Sequence, residues 1–120
     1  MMTIIYGIPN CDSVKKARQW LSNNEIDYEF VDVRENTPSK SHIDGWIATL
    51  GAAPLVNKRS TTWKNMDSEA RDNAENGDTC AVLLANPTLI KRPVLEHNGI
   101  LDVGFSAANY ANHFGIEESA

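Results

Sequence analysis

The spacing of hydrophobic and polar positions changes several times along the chain. Thr3 to Tyr6 is a short apolar, β-rich run closed by Gly7 and Pro9, the pattern of a buried first strand that ends in a tight loop. From Asn10 the spacing turns helical: Val14, Ala17 and Leu21 recur on one face, and Lys15, Lys16, Arg18 and Gln19 fill the other until Asn23 and Asn24. Tyr28, Phe30, Val31 and Val33, interleaved with Asp27, Glu29 and Asp32, supply a second strand. Strand, helix and strand in that order predict a parallel unit with a right-handed crossover, hence an α/β domain.

The middle third reads as helical and free of strands. Ser41 and Asp44 have the spacing of a capping box, followed by the stripe Ile43, Trp46, Ile47 and Leu50 and a stop at Gly51. Pro54 and Leu55 predict a brief helical turn, Ser68 to Ala74 a weaker helix, and Asp78 to Ala85 another that Asn86-Pro87 ends. Arg59 falls in a polar stretch, Asn57 to Trp63, that reads as loop. These helices form an insertion, at about residues 39–87, between two halves of a sheet. Val94 to His97 and Ile100 to Val103 then flank Asn98-Gly99, a strong signal for a two-residue hairpin turn. Ser106 caps a last helix, with Phe105 placed to pack on Tyr110 as a hydrophobic staple.

At 120 residues and 42% hydrophobic content, one domain spanning residues 1–120 can bury a core without metal or disulfide staples. The formal net charge of −5 weighs against direct nucleic-acid binding, which usually needs a basic stripe. No apolar run is long enough to cross a bilayer and the start of the chain lacks a secretory signal, so the expected location is the cytoplasm. In that compartment two cysteines are not expected to form a structural bridge, and each is judged by its own surroundings.

Those surroundings differ. Cys11 lies in the loop after the first strand, at the opening turn of the first helix, where unpaired amides and the positive end of the helix dipole favour thiolate. Lys15 and Lys16 add positive charge one turn on, and Asp12 opposes them. The plain alternative is a small buried packing residue, the usual fate of a free cysteine. The fourth position of a C-x-x-C motif is Val14, so no local resolving thiol exists. Cys80, among Ala81, Val82, Leu83 and Leu84, reads as a core thiol, with a resolving role as the alternative. His42, His97 and His113 show no metal-ligand spacing with the cysteines, and no G-x-S-x-G element is present. Arg92-Pro93 precedes the hairpin, where the chain rejoins the sheet beside the first strand. A cis proline there would leave backbone free to pair with an extended thiol substrate, and Arg92 would fork onto a carboxylate or oxyanion. Arg59 is a second candidate for that cleft; the alternative for both arginines is a solvated loop charge.

Gly7-Ile8-Pro9-Asn10-Cys11, Leu55 through Trp63, and Ile90-Lys91-Arg92-Pro93-Val94, in this order, resemble the arsenate reductase (ArsC) family across essentially the whole chain. The likeness is greatest to its YffB branch, with the Spx regulators as cousins. The resemblance implies a thioredoxin-like fold with a mixed four-stranded sheet, Cys11 as nucleophile and a cis Pro93 beside it. It also makes Arg59 and Arg92 counterparts of two arginines that handle the oxyanion. Where the reductases carry a histidine, an arginine and a third oxyanion arginine, this chain has Gly7, Lys15 and Gly104, departures that weigh against arsenate turnover. Val14 likewise breaks the C-x-x-C switch of Spx-like regulators.

The leading expectation is a glutathione-dependent thiol reductase. Cys11 is its nucleophile, and Asn10, Lys15, Arg59, Arg92 and Pro93 bind glutathione or substrate. Glutathione enters as co-substrate with no bound cofactor or metal, the substrate is a small-molecule or protein disulfide or an oxyanion, and the protein is a monomer with no membrane partner. The alternatives are an arsenate reductase with the same nucleophile, and a non-enzymatic module that binds RNA polymerase as Spx does.

Overall fold

A computed structural model describes residues 3–116. The elements in chain order are β1 (Thr3–Gly7), α1 (Asp12–Asn23), β2 (Glu29–Asp32), α2 (Lys40–Leu50), α3 (Thr61–Lys64), α4 (Ser68–Asn76), α5 (Thr79–Ala85), β3 (Val94–His97), β4 (Ile100–Val103) and α6 (Ala107–Phe114), with 3-10 turns at Ala53–Leu55 and Pro87–Leu89. The strands form one mixed sheet in the order β2-β1-β3-β4, with β1–β3 and β3–β4 antiparallel. Two compact units result. One joins the described residues up to Val31 with those from Arg92 onward, and the other is Asp32–Lys91.

In the first unit, alternation along the strands decides which residues meet the helices. Ile5 stands opposite Leu95 in the β1–β3 register, and both are fully buried with Ala17 and Leu21 of α1 and Tyr110 of α6. Each of the buried isoleucine and leucine side chains contributes about 1.5–3 kcal/mol when removed from water. Val14, Ala17 and Leu21 are the buried residues of α1, the face its spacing predicts. On alternate positions, Tyr6 donates its hydroxyl to the Glu96 carboxylate at 2.9 Å, and burial followed by that carboxylate drives the phenol far above its usual range.

The β3–β4 turn takes Asn98 and Gly99 to φ of +50° and +80°, both left-handed, as a two-residue hairpin of matching twist requires. Ser106 caps α6 by accepting from the Asn109 amide at 3.3 Å, and Phe105 meets Tyr110 edge-on at 4.8 Å, the predicted staple. His113 Nε2 lies 2.9 Å from the Asp102 carboxylate, tying the last turn of α6 to β4.

In the second unit, each helix begins on a side-chain cap. Ser39, Ser60, Asp67 and Asp78 accept from the amides of His42, Trp63, Ala70 and Ala81. Three expectations are corrected here. The cap of α2 is Ser39, not Ser41. Ser39 is extended (φ −67°, ψ 162°), whereas Ser41 already lies in the first turn and Asp44 pairs with Lys40 at 3.0 Å. The stretch read as loop contains α3, whose four residues carry too little apolar periodicity to register. The strand-free reading also misses an antiparallel bridge, Val56 with Ile90, flanked by the bonds Asn57 N–H to Leu89 O and Lys91 N–H to Leu55 O, both 2.8 Å.

Candidate functional site

A loop of three residues, Ile8 to Asn10, carries β1 into α1. The Cys11 amide closes it by donating to the Ile8 carbonyl at 3.3 Å, and the Cys11 carbonyl accepts from the Lys15 amide at 2.9 Å, the first turn of the helix. Cys11 is thus the N-cap residue, extended at φ −95° and ψ 128°, and its side chain makes no capping bond. The free thiol is half-buried and sits where the amides of α1 have no intrahelical partner. This rules out the sealed packing role.

Across the sheet, the Arg92–Pro93 peptide is cis, as the sequence raised, and Pro93 is buried. The last pair of the β1–β3 register is Tyr6 with Val94, and Gly7 and Pro93 are the residues next beyond it in the chain. The Gly104 amide donates to the Pro93 carbonyl at 2.8 Å, which draws the turn between β4 and α6 to the same corner. Gly104 has φ +82°, a left-handed backbone that an arginine side chain adopts only at a cost of about 1–2 kcal/mol.

Of the expected site residues, Asn10, Cys11, Lys15, Arg92 and Pro93 all belong to the first unit. Asn10 and Lys15 are exposed and Arg92 is half-buried. Arg59 belongs to the second unit. It is exposed on a turn in which its amide donates to Asn57 Oδ1 at 3.1 Å, just before α3.

Sequence reasoning missed the grooves along α1. One, of about 350 Å³, is lined by Lys15, Lys16, Gln19, Trp20, Asn23, Phe105 and Ala107. A second, of about 360 Å³, lies among Lys15, Arg18, Gln19, Ser22 and Tyr28. Arg18 is held there by donating to the Tyr28 hydroxyl at 3.0 Å and by lying 4.2 Å over the Phe30 ring. Trp20, an aromatic just off the buried stripe, was the available signal.

Cys80 matches its reading as a core thiol. It is 4% exposed and donates to the Lys40 carbonyl at 3.5 Å; burial, followed by the neighbouring Asp44 carboxylate, pushes the thiol up. Among the described residues no group of three or more His, Cys, Asp and Glu side chains could hold a metal ion, and no helix is long and apolar enough to cross a membrane.

A mixed four-stranded sheet with a cysteine at the N-terminus of its first helix and a cis proline just before its third strand defines a thioredoxin-like α/β protein. The sequence profile of the ArsC family matches residues 6–113, and the chain belongs to that family. It is 38% identical over 113 residues to an uncharacterized protein of Haemophilus influenzae, covering 94% of this chain and 99% of the other. The solved structure of a YffB protein is 34% identical and superposes with a TM-score of 0.86 over 92% of this chain and 97% of its own. An arsenate reductase (ArsC) related protein from Brucella melitensis is 38% identical, with a TM-score of 0.74 over 97% of both chains. The regulatory protein MgsR of Bacillus subtilis is 26% identical over 84% of this chain and 81% of its own. An arsenate reductase from Vibrio cholerae, 23% identical with a TM-score of 0.76 over 93% of this chain and 97% of its own, shares the fold. The family thus includes oxidoreductase-like proteins and regulators.

Proposed function

We propose that this protein is a glutathione-dependent thiol reductase with Cys11 as its nucleophile. The observation that carries the reading is the half-exposed Cys11 thiol at the amide end of α1, with the cis Arg92–Pro93 peptide leading into the strand that pairs with β1. In a glutathione mixed disulfide, the Cys11 thiolate attacks the glutathione sulfur. The substrate thiolate leaves with the electron pair of the broken S–S bond and takes a proton from solvent, and Cys11 becomes glutathionylated. A second glutathione thiolate then attacks that adduct, releasing oxidised glutathione and restoring the Cys11 thiolate. One reduced glutathione is consumed and one oxidised glutathione released for each substrate thiol freed. No resolving cysteine is needed, in keeping with Val14 at the C-x-x-C position and with a buried, protonated Cys80.

In this scheme the backbone beside Pro93 pairs with the extended glutathione chain, as an added strand would. Arg92 and Lys15 attract its carboxylates, and Asn10 offers an amide at the loop. Arsenate is a poor substrate, because residue 104 is a glycine in a left-handed turn and residue 7 brings no histidine.

A glutathione-coupled assay on a model mixed disulfide tests the reading. Turnover that Cys11→Ser abolishes is expected, with slight arsenate turnover in the same preparation. Equal rates in the two proteins would reject it in favour of a non-catalytic binding module.

A further inference from the structure

We infer that Gly7 and Val14 act as a pair of positioning residues that set Cys11 at the amide end of α1; this rests on the nucleophile reading above. Gly7 is the last residue of β1. It lacks the left-handed backbone of Gly51, Gly99, Gly104 and Gly115, so conformation does not demand glycine there. Space does. A Cβ built on Gly7 would stand 2.6 Å from Cγ2 of Val14 and 3.3 Å from its Cγ1, where real Cβ contacts essentially never come under 3.0 Å. Val14 is fully buried and β-branched, so neither methyl has an easy rotamer to retreat into.

The contact bears on the thiol because of what lies between. Val14 sits in the first turn of α1, three residues after Cys11, and the Cys11 carbonyl is the acceptor of that turn's first hydrogen bond. Three loop residues, closed by the bond from Cys11 to Ile8, link it to Gly7. The first turn therefore rests on bare backbone at Gly7. Restoring ordinary contact at about 3.4 Å after adding a methyl at residue 7 requires Val14 to move by about 0.8 Å, and the first turn moves with it. Helix-end stabilisation of a charge fades within a single turn, and misplacements of about 1 Å are enough to cost a reacting group most of its advantage. With Val14 in place of a second cysteine, its methyls fill the space into which a larger residue 7 would project.

The test is the pH dependence of iodoacetamide alkylation at Cys11, followed by mass spectrometry on the full chain from pH 5 to pH 9. Wild type is compared with Gly7→Ala and with the double variant Gly7→Ala/Val14→Ala, in which truncation of the valine makes room for the new methyl. Gly7→Ala is expected to react at least fivefold more slowly at pH 7 yet within twofold of wild type at pH 9, and the double variant to lie within twofold at both. A role in packing alone would lower thermal stability and leave these profiles alone. An unchanged Gly7→Ala profile, or a slowing that the double variant retains, overturns the pairing. Should Gly7→Ala fail to fold, the double variant decides: a wild-type profile supports the pairing and an altered one overturns it. If wild-type Cys11 reacts no faster at pH 7 than free glutathione, the nucleophile reading falls and the pairing with it. A fast wild type with an indifferent Gly7→Ala removes only the pairing.

Discussion

Two cysteines of one chain differ here through burial and neighbours. Cys11 is half-buried at a helix end, whereas Cys80 is sealed, hydrogen-bonded to a carbonyl and set against a carboxylate that disfavours its ionisation. Maleimide labelling of the native protein should therefore modify Cys11 alone, with Cys80 reacting after denaturation; peptide mapping reads this directly, and rapid native labelling at Cys80 would contradict it. Tyr110 poses the opposite question. Its ring is fully buried among Trp20, Phe105 and Phe114, yet its hydroxyl has no hydrogen-bond partner among the described residues. An unpaired buried donor costs about 1–3 kcal/mol, so Tyr110→Phe should match or exceed wild-type stability, while Tyr110→Ala should lose about 3–5 kcal/mol. Urea unfolding of both variants checks the pair, and a Phe variant weaker by more than about 1 kcal/mol would mean that the hydroxyl is paired in solution.

The element that these aromatic contacts hold is α6, and its far end is sensitive to pH. His97 on β3 shares a 2.8 Å hydrogen bond through Nδ1 with the Thr3 hydroxyl, packs its ring 4.2 Å from Phe114, and is held below the usual histidine range by burial and then by His113. A depressed histidine favours the neutral ring in the folded state. As pH falls below about 6.5 the unfolded chain takes up the proton first, so stability drops with acidification and is fully present above that value. Between pH 7 and pH 5, denaturation midpoints should fall for wild type and fall less for His97→Gln; identical slopes would remove His97 from the linkage. Most elements were legible from period and punctuation. The face Val14, Ala17, Leu21, the Asn98-Gly99 turn and the staple at Phe105 each rest on local rules that tertiary packing did not override. What escaped was short or long-range: the four residues of α3, the displaced cap at Ser39, and the bridge between Val56 and Ile90, whose partners lie far apart in sequence.

For the whole molecule, each unit has its own means of support. In the first, the sheet, α1 and α6 share one apolar cluster; in the second, capped helices pack with α5 touching both α2 and α4. The candidate site was legible to the extent that its chemistry lies in contiguous motifs, since Cys11 in its loop and the cis proline are local features. The grooves flanking α1 and the seat of Val14 on Gly7 were not, because both depend on which elements the fold brings together. The proposed activity turns on Cys11 exchanging disulfides with glutathione, and intact-mass measurement of the protein mixed with oxidised glutathione at neutral pH tests that most directly. One glutathione adduct, located on Cys11, reversed by reduced glutathione and lost in Cys11→Ser, is the predicted result. An unmodified protein, or an internal disulfide to Cys80, would contradict it.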